Sequence, residues 1–320
     1  MKFNVDSYHF KLLRDYERLS AFKEAIDQFA MEYSNSDDSK AIKENESSKT
    51  SLAYDLGCGS GVLSYFASDY FDKVISIEMS PSTFRLAKEN LKDFSNIEVF
   101  NENSLDFDFS NYPKADLIIC EMLDTALIDE EEVPVLNHAK QYLKNSGKII
   151  PQGIINQAEP VFMDLDYIQY EDEEYQPKYD VLGKSVIFSE FDFLDDIDES
   201  FSAIIEFEIA TSDYDKSNGK TKIINDRQDK IRVNGIHDKQ DKIRVNGISD
   251  KQDKIRVNGI KLTSFTKLND EIICGPTPML NPAMLVPFEE TEVKNGEKIR
   301  IRLSYIMGGG VETIKTEVLD

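Results

Sequence analysis

Two glutamates, Glu121 and Glu130, stand nine positions apart in CEMLDTALIDEEEV and offer the most specific chemistry in the chain. Glu121 follows the apolar run ADLIIC (Ala115–Cys120), and Glu130 sits at the start of a helix expected over Asp129–Tyr142. The turn between them can therefore bring both carboxylates into one pocket. Two close carboxylates repel unless they share a proton or clamp a cation. A guanidinium satisfies both with its planar array of donors. Favourable charge in a helix's first turn accounts for any one of Glu130, Glu131 and Glu132, but leaves Glu121 unexplained.

A second cluster lies upstream. LAYDLGCGSG (Leu52–Gly61) is a short apolar-rich strand running into Gly57, Gly59 and Gly61 ahead of a helix, so the backbone can turn tightly and lie against a ligand. The next strand, Val74–Ile77, ends at Glu78, whose carboxylate can accept hydrogen bonds from both hydroxyls of a ribose. Asn103 and Ser104 follow a third strand, Ile97–Phe100, where they can meet an adenine edge or simply cap a turn. Ligands of doubly wound sheets bind at the carboxyl ends of the strands, so these residues and Glu121 converge on one edge. Cys58 is expected to pack near the ligand, with no histidine evident to make it a nucleophile. A dinucleotide is the weaker alternative, because its loops more often run GxGxxG and cradle a pyrophosphate.

The elements that must carry these groups read in order along the chain. Residues 1–33 contain a helix, with Leu12, Leu13, Tyr16, Leu19, Phe22, Ile26 and Phe29 on one stripe. Residues 34–50, polar and serine-rich, read as a flexible linker. Residues 51–152 alternate strand and helix, which requires a parallel α/β sheet with helices on both faces. Residues 153–320 turn to β texture and predict an antiparallel barrel or sandwich. Within it DKIRVNGI occurs three times between residues 229 and 260, with a period of 12. Each copy is expected to form a strand reversed at Asn-Gly, giving a protruding β extension, a short solenoid or a cationic binding arm.

Composition narrows the partners. A formal net charge of -23 leaves no broad basic surface for duplex nucleic acid. The 3 cysteines and 3 histidines lack metal-ligand spacing, so no metal is expected and a reducing interior suits the thiols. With neither a leader-like apolar segment nor a long apolar run, a cytoplasmic protein without a membrane span is expected.

DLGCGSG resembles the glycine motif of class I S-adenosylmethionine methyltransferases, and the wider chain resembles the protein arginine methyltransferase family. YHFKLLRDYERLSAFKEAI is similar to that family's amino-terminal helix, with Asp15, Arg18 and Phe22 on its motif. CEMLDTALIDE falls on the double-glutamate loop, with Met122 where an aromatic is usual, and GKIIP is similar to the strand that closes the domain. The resemblance covers most of residues 8 to 165. It implies a Rossmann-like domain followed by a β-barrel, with S-adenosylmethionine as cofactor and S-adenosylhomocysteine as its product. It also implies that Arg18 holds the cofactor's methionine carboxylate, Asp15 orders the helix or the site, Asp55 supports the loop and the amino group, and Glu78 takes the ribose. Glu121 and Glu130 would grip the guanidinium of an arginine in a protein substrate.

There are departures from the family pattern. The family's Thr-His-Trp loop has its nearest counterpart in GPTPMLNPAML (Gly275–Leu285), which lacks both His and Trp. The helix ahead of the Asp and Arg motif is expected to be absent or confined to the first seven residues, and no dimerisation arm is evident between Pro160 and Ser185, so a homo-oligomer has no clear support. An RNA or small-molecule methyltransferase, or a methyltransferase-like scaffold without catalysis, are the alternatives.

Overall fold

The computed structural model describes residues 2–35, 50–171, 176–210 and 254–320. Five parallel strands form the first sheet: β1 (Leu52–Leu56), β2 (Lys73–Ile77), β3 (Ile97–Phe100), β4 (Ala115–Cys120) and β5 (Leu143–Ile150), in the order β3-β2-β1-β4-β5. All of β1 and β4 is buried, as befits strands covered on both faces. The order reverses beside β1, and the ends of β1, β2 and β4 there open one crevice.

Two helices precede this sheet where the sequence predicts one. α1 (Ser7–Arg14) stops at Asp15, whose N–H still bonds to the Leu12 and Lys11 carbonyls. The Asp15 carboxylate then accepts the Arg18 N–H at 3.1 Å, starting α2 (Tyr16–Asn35). One aspartate thus caps both helices, and the bend throws Tyr16 out of the apolar stripe to 72% exposure, while Phe22, Ile26 and Phe29 stay buried. α1 is the first part of the helix expected over residues 8–33, and residues 2–6 ahead of it form no helix. The polar stretch expected to be a linker lies, but for Ser34, Asn35 and Thr50, outside the described residues.

Between the strands run α3 (Val62–Ser68), α4 (Pro81–Leu91) and α5 (Glu132–Ala139). α5 begins later than the sequence predicts, because the Asp124 carboxylate takes the N–H groups of Ile128, Asp129 and Glu130 and holds them in a turn. Glu130 therefore precedes the helix, and first-turn charge does not explain it.

After a cis Ile150–Pro151 peptide the chain enters antiparallel sheets. β6 (Gly153–Met163) and β11 (Lys254–Lys267) pair along most of their length at the centre of one sheet, flanked by β13 (Met284–Lys294). β10 (Ser200–Glu208), β14 (Lys298–Ile306) and β15 (Lys315–Leu319) make the other. One apolar core runs from Phe22 through the parallel sheet to Met307, so the barrel-like part and the first domain share their interior.

Of the three repeat copies, only residues 254–260 of the last are described. They form the start of β11, and Asn258-Gly259 makes no reversal. The pair sits at a register shift, where the Asn258 amide grips both the N–H and the carbonyl of Met163 at 2.9 and 2.7 Å. Among the described residues no helix is long and apolar enough to cross a membrane.

Candidate active site

The glycine turn closes the β1 end of the crevice. Gly57 and Gly59 have φ of 69° and 53°, the left-handed region in which side chains are costly. A side chain there would also crowd its neighbours. A Cβ at Gly57 would lie 2.8 Å from the Met122 sulfur, and one at Gly59 would lie 3.0 Å from Nε2 of His9. Gly61 begins α3. Glu78 at the tip of β2 accepts the Gly59 N–H at 3.0 Å through Oε2 and the Ser80 N–H at 2.7 Å through Oε1. Its carboxylate thus braces the turn while facing the same cleft.

Arg18, Gly57, Gly59, Glu78, Asn103, Ser104, Glu121 and Glu130 all line this one cleft. Of the residues assigned to the cofactor, Asp55 and Gly61 do not. Asp55 lies beneath the turn, 1% exposed, with its carboxylate accepting from the Ser64 hydroxyl, and burial pushes its pKa up to about 7. Asn103 commits its side-chain oxygen to the Leu105 N–H at 2.9 Å, so the turn-capping role is in place there.

At the end of the adjacent β4, Glu121 forms an ion pair with Arg18, the side chains 11% and 4% exposed. Desolvation works against the Arg18 charge, but the Glu121 carboxylate outweighs it and the pKa is raised. Nε and Nη1 of Arg18 remain buried without a partner. Burial and then the charge of Glu121 push Glu130 up to about 8. Burial, followed by the charges of Glu130 and Glu121, lifts Tyr8 to about 12, and the residue lines the same cleft.

Several of these neighbours are invisible in sequence spacing. Tyr8 and His9 reach the cleft because Asp6 caps α1, accepting the His9 N–H at 2.8 Å and holding the imidazole Nδ1 at 2.9 Å. The GPTPMLNPAML loop docks on Asp15. Thr277 donates its hydroxyl to the Asp15 carboxylate, Met279 donates its N–H at 3.2 Å, and the Met279 side chain lines the cleft. Glu132, completely buried, accepts the Met122 N–H at 2.9 Å and fixes the residue after Glu121. A capping aspartate three residues before His9 is the one signal that could have pointed to that histidine. Among the described residues no cluster of His, Cys, Asp and Glu could hold a metal ion.

A family model described as a methyltransferase domain matches residues 53–147. The chain is 37% identical over 319 residues to an uncharacterized protein of Methanothermobacter thermautotrophicus, covering 100% of both. It is 31% identical over 324 residues to one of Methanocaldococcus jannaschii, covering 99% of each. The chain belongs to the family of these archaeal proteins, and it is a class I S-adenosylmethionine-dependent methyltransferase resembling the protein arginine methyltransferases. The methyltransferase shares 29% identity with protein arginine N-methyltransferase 1 of Saccharomyces cerevisiae over 179 residues, 55% of this chain and 46% of the yeast protein. Its fold matches a chain of the Trypanosoma brucei PRMT1 enzyme-prozyme heterotetrameric complex with AdoHcy, with a TM-score of 0.63 at 16% identity over 98% and 99% of the two chains.

The cleft of the methyltransferase fits its cofactor. Two unpartnered guanidinium nitrogens in a buried wall leave a desolvation cost that a ligand carboxylate would remove. The glycine turn leaves room for close approach, and the Glu78 carboxylate offers acceptors to a ribose.

Proposed function

We propose that this methyltransferase modifies the guanidinium of an arginine side chain in a protein. The observation that carries the reading is that Glu121 and Glu130 line one cleft, with Glu130 raised to about 8 by burial and then by the charge of Glu121. A cation between them removes that repulsion. Arg18 would hold the cofactor carboxylate through Nε and Nη1, and Glu78 would accept the ribose hydroxyls. The glycine turn would seat the nucleoside, beside Asn103 and Ser104. S-adenosylmethionine, when bound, supplies a methyl group made electrophilic by its sulfonium.

Glu121 and Glu130 orient the guanidinium so that one nitrogen presents its lone pair in line with that methyl. The new N–C bond forms as the S–C bond breaks, and the methylated nitrogen must shed a proton. Glu130, whose pKa burial raises to about 8, takes that proton on a carboxylate oxygen. Tyr8 and Met279 line the cleft beside the glutamates. The test is transfer of labelled methyl from S-adenosylmethionine into a cell extract fractionated into protein, RNA and small molecules. Label recovered as methylarginine in protein supports the reading, and label confined to RNA or small molecules overturns it.

A further inference from the structure

The loop that carries Glu121 and Glu130 contains two consecutive residues, Ala126 and Leu127, with φ of 62° and 63°. Neither is glycine, and side chains disfavour that region. Such a turn persists only where its surroundings over-determine it. The surroundings here are the barrel. The Ala126 N–H donates to the Ser264 hydroxyl oxygen at 2.8 Å, and the Ala126 carbonyl accepts the Tyr305 hydroxyl at 2.9 Å. Ser264 in turn donates to Asn156 at 2.7 Å. The Leu127 carbonyl accepts the Gly308 N–H at 3.0 Å. Ser264 and Asn156 are completely buried and Tyr305 is 3% exposed, so no solvent can replace these partners.

We propose that Tyr305 and Ser264 are positioning residues of the methyltransferase: by holding the left-handed turn at Ala126 they set the separation of the Glu121 and Glu130 carboxylates and so make acceptor capture depend on the barrel. The inference rests on the double-glutamate reading of the acceptor site. Tyr305 touches neither cofactor nor acceptor. It acts through the backbone between the two glutamates, which is also held by the Asp124 carboxylate on the N–H groups of Ile128, Asp129 and Glu130, by the Gly308 and Gly310 N–H groups on the Leu127 and Ile128 carbonyls, and by the Thr125 hydroxyl on the Pro282 carbonyl.

Tyr305→Phe removes a single hydroxyl and leaves the ring in place. Loss of one buried hydrogen bond corresponds to roughly a tenfold effect. With a short peptide carrying a central arginine as probe, turnover by Tyr305→Phe is expected to fall about tenfold, with cofactor affinity unchanged. Amide exchange over residues 126–130 should rise by a similar factor while β1 and β4 keep theirs. Ala126→Gly introduced into Tyr305→Phe should restore most of the turnover, because glycine takes the left-handed region without penalty. A merely structural role for Tyr305 would give no such rescue. Ser264→Ala should reproduce the exchange increase from the opposite side of the turn. Parental exchange at residues 126–130 in both Tyr305→Phe and Ser264→Ala overturns the proposal, as does a turnover loss that Ala126→Gly leaves uncorrected. If the parent enzyme leaves the arginine peptide unmethylated, the arginine reading fails, and the exchange measurement still decides whether the barrel holds the turn.

Discussion

From Leu52 to Glu78 one wall of the cleft is made by an unbroken stretch of chain, and its parts brace one another. The Glu78 carboxylate holds the Gly59 N–H, and the Cys58 N–H bonds the Ile77 carbonyl at 2.9 Å. The rest of the lining, the second wall, is assembled from distant pieces: Arg18 from α2, Glu121 and Glu130 from the loop after β4, Met279 from the loop before β13, and Tyr8 from α1. The first wall depends on local backbone geometry. The second depends on charges that oppose or pair and on a barrel that fixes where they stand. Changes on the first wall should therefore appear in cofactor affinity, and changes on the second in turnover.

The largest break in that comparison is expected at the glutamates. Glu121→Gln and Glu130→Gln keep size but remove the negative charge that offsets guanidinium desolvation. Turnover on an arginine substrate should fall about a hundredfold or more while S-adenosylmethionine affinity changes little for Glu130→Gln. Glu121→Gln also strips Arg18 of its ion-pair partner, so its effect on affinity measures how far the two walls are coupled. Single-turnover rates and calorimetric affinities of both variants check this, and near-parental transfer by both would end the double-glutamate mechanism.

Gly59→Val attacks the other wall. The side chain would occupy a left-handed position with its Cβ 3.0 Å from the His9 ring, which must give way. Cofactor affinity is expected to drop by roughly a hundredfold, given a strained backbone and a lost approach surface. Circular dichroism should still report the parallel sheet. Unchanged affinity would remove the glycine turn from the cofactor site.

The two walls also differ in how legible they were. The glycine turn, Glu78 and the parallel sheet follow from spacing within a few tens of residues, where a strand, a turn and a helix dictate which side chains meet. The apolar stripe runs past Asp15 without a break, and only the family resemblance singles that residue out, as ordering the helix or the site. The buried Asp15 carboxylate bonds to Thr277 and Met279 from the far end of the chain, and no local pattern encodes that contact. Glu130 looked like a first-turn acid until Asp124 was found collecting the N–H groups ahead of the helix. Asn258-Gly259 reads locally as a reversal, yet pairing with β6 and β13 overrides it. Failures of this kind cluster on the assembled wall and on the barrel that supports it.

A smaller effect should come with pH. Glu130 is raised to about 8 and Asp124 to about 7 on the assembled wall, and Asp55 to about 7 beneath the glycine turn, in each case chiefly by burial. Between roughly pH 4, where such acids titrate in the unfolded chain, and pH 8, the folded state holds more protons than the unfolded state. Stability of the ligand-free protein must therefore fall as pH rises through that window. Tm is expected to drop by about 5 °C or more from pH 5.5 to pH 8.5, a size set by a few kcal/mol in a chain of this length. Glu130→Gln should flatten the upper part of the curve. A Tm that climbs with pH would show that burial leaves these acids ionised.

The smallest effect is expected from the repeat, and it tests whether the assembled wall extends beyond the described residues. β11 uses one copy of DKIRVNGI, with Ile255 paired to Val293 and Val257 to Thr291. Excising residues 229–252 joins Gln228 to Asp253 and leaves one intact copy, preceded by the same Gln that precedes the others. The strand, its register and the Asn258 clasp on Met163 can then form unchanged. Because β11 keeps its pairing partners in the shortened chain, Tm and cofactor affinity should remain near parental. Turnover on an arginine peptide should also persist. If the shortened protein keeps its Tm and cofactor affinity but loses turnover on a protein acceptor, the two excised copies belong to acceptor recognition, and their Lys and Arg residues become the next to substitute. If Tm itself collapses, the first two copies contribute to the barrel.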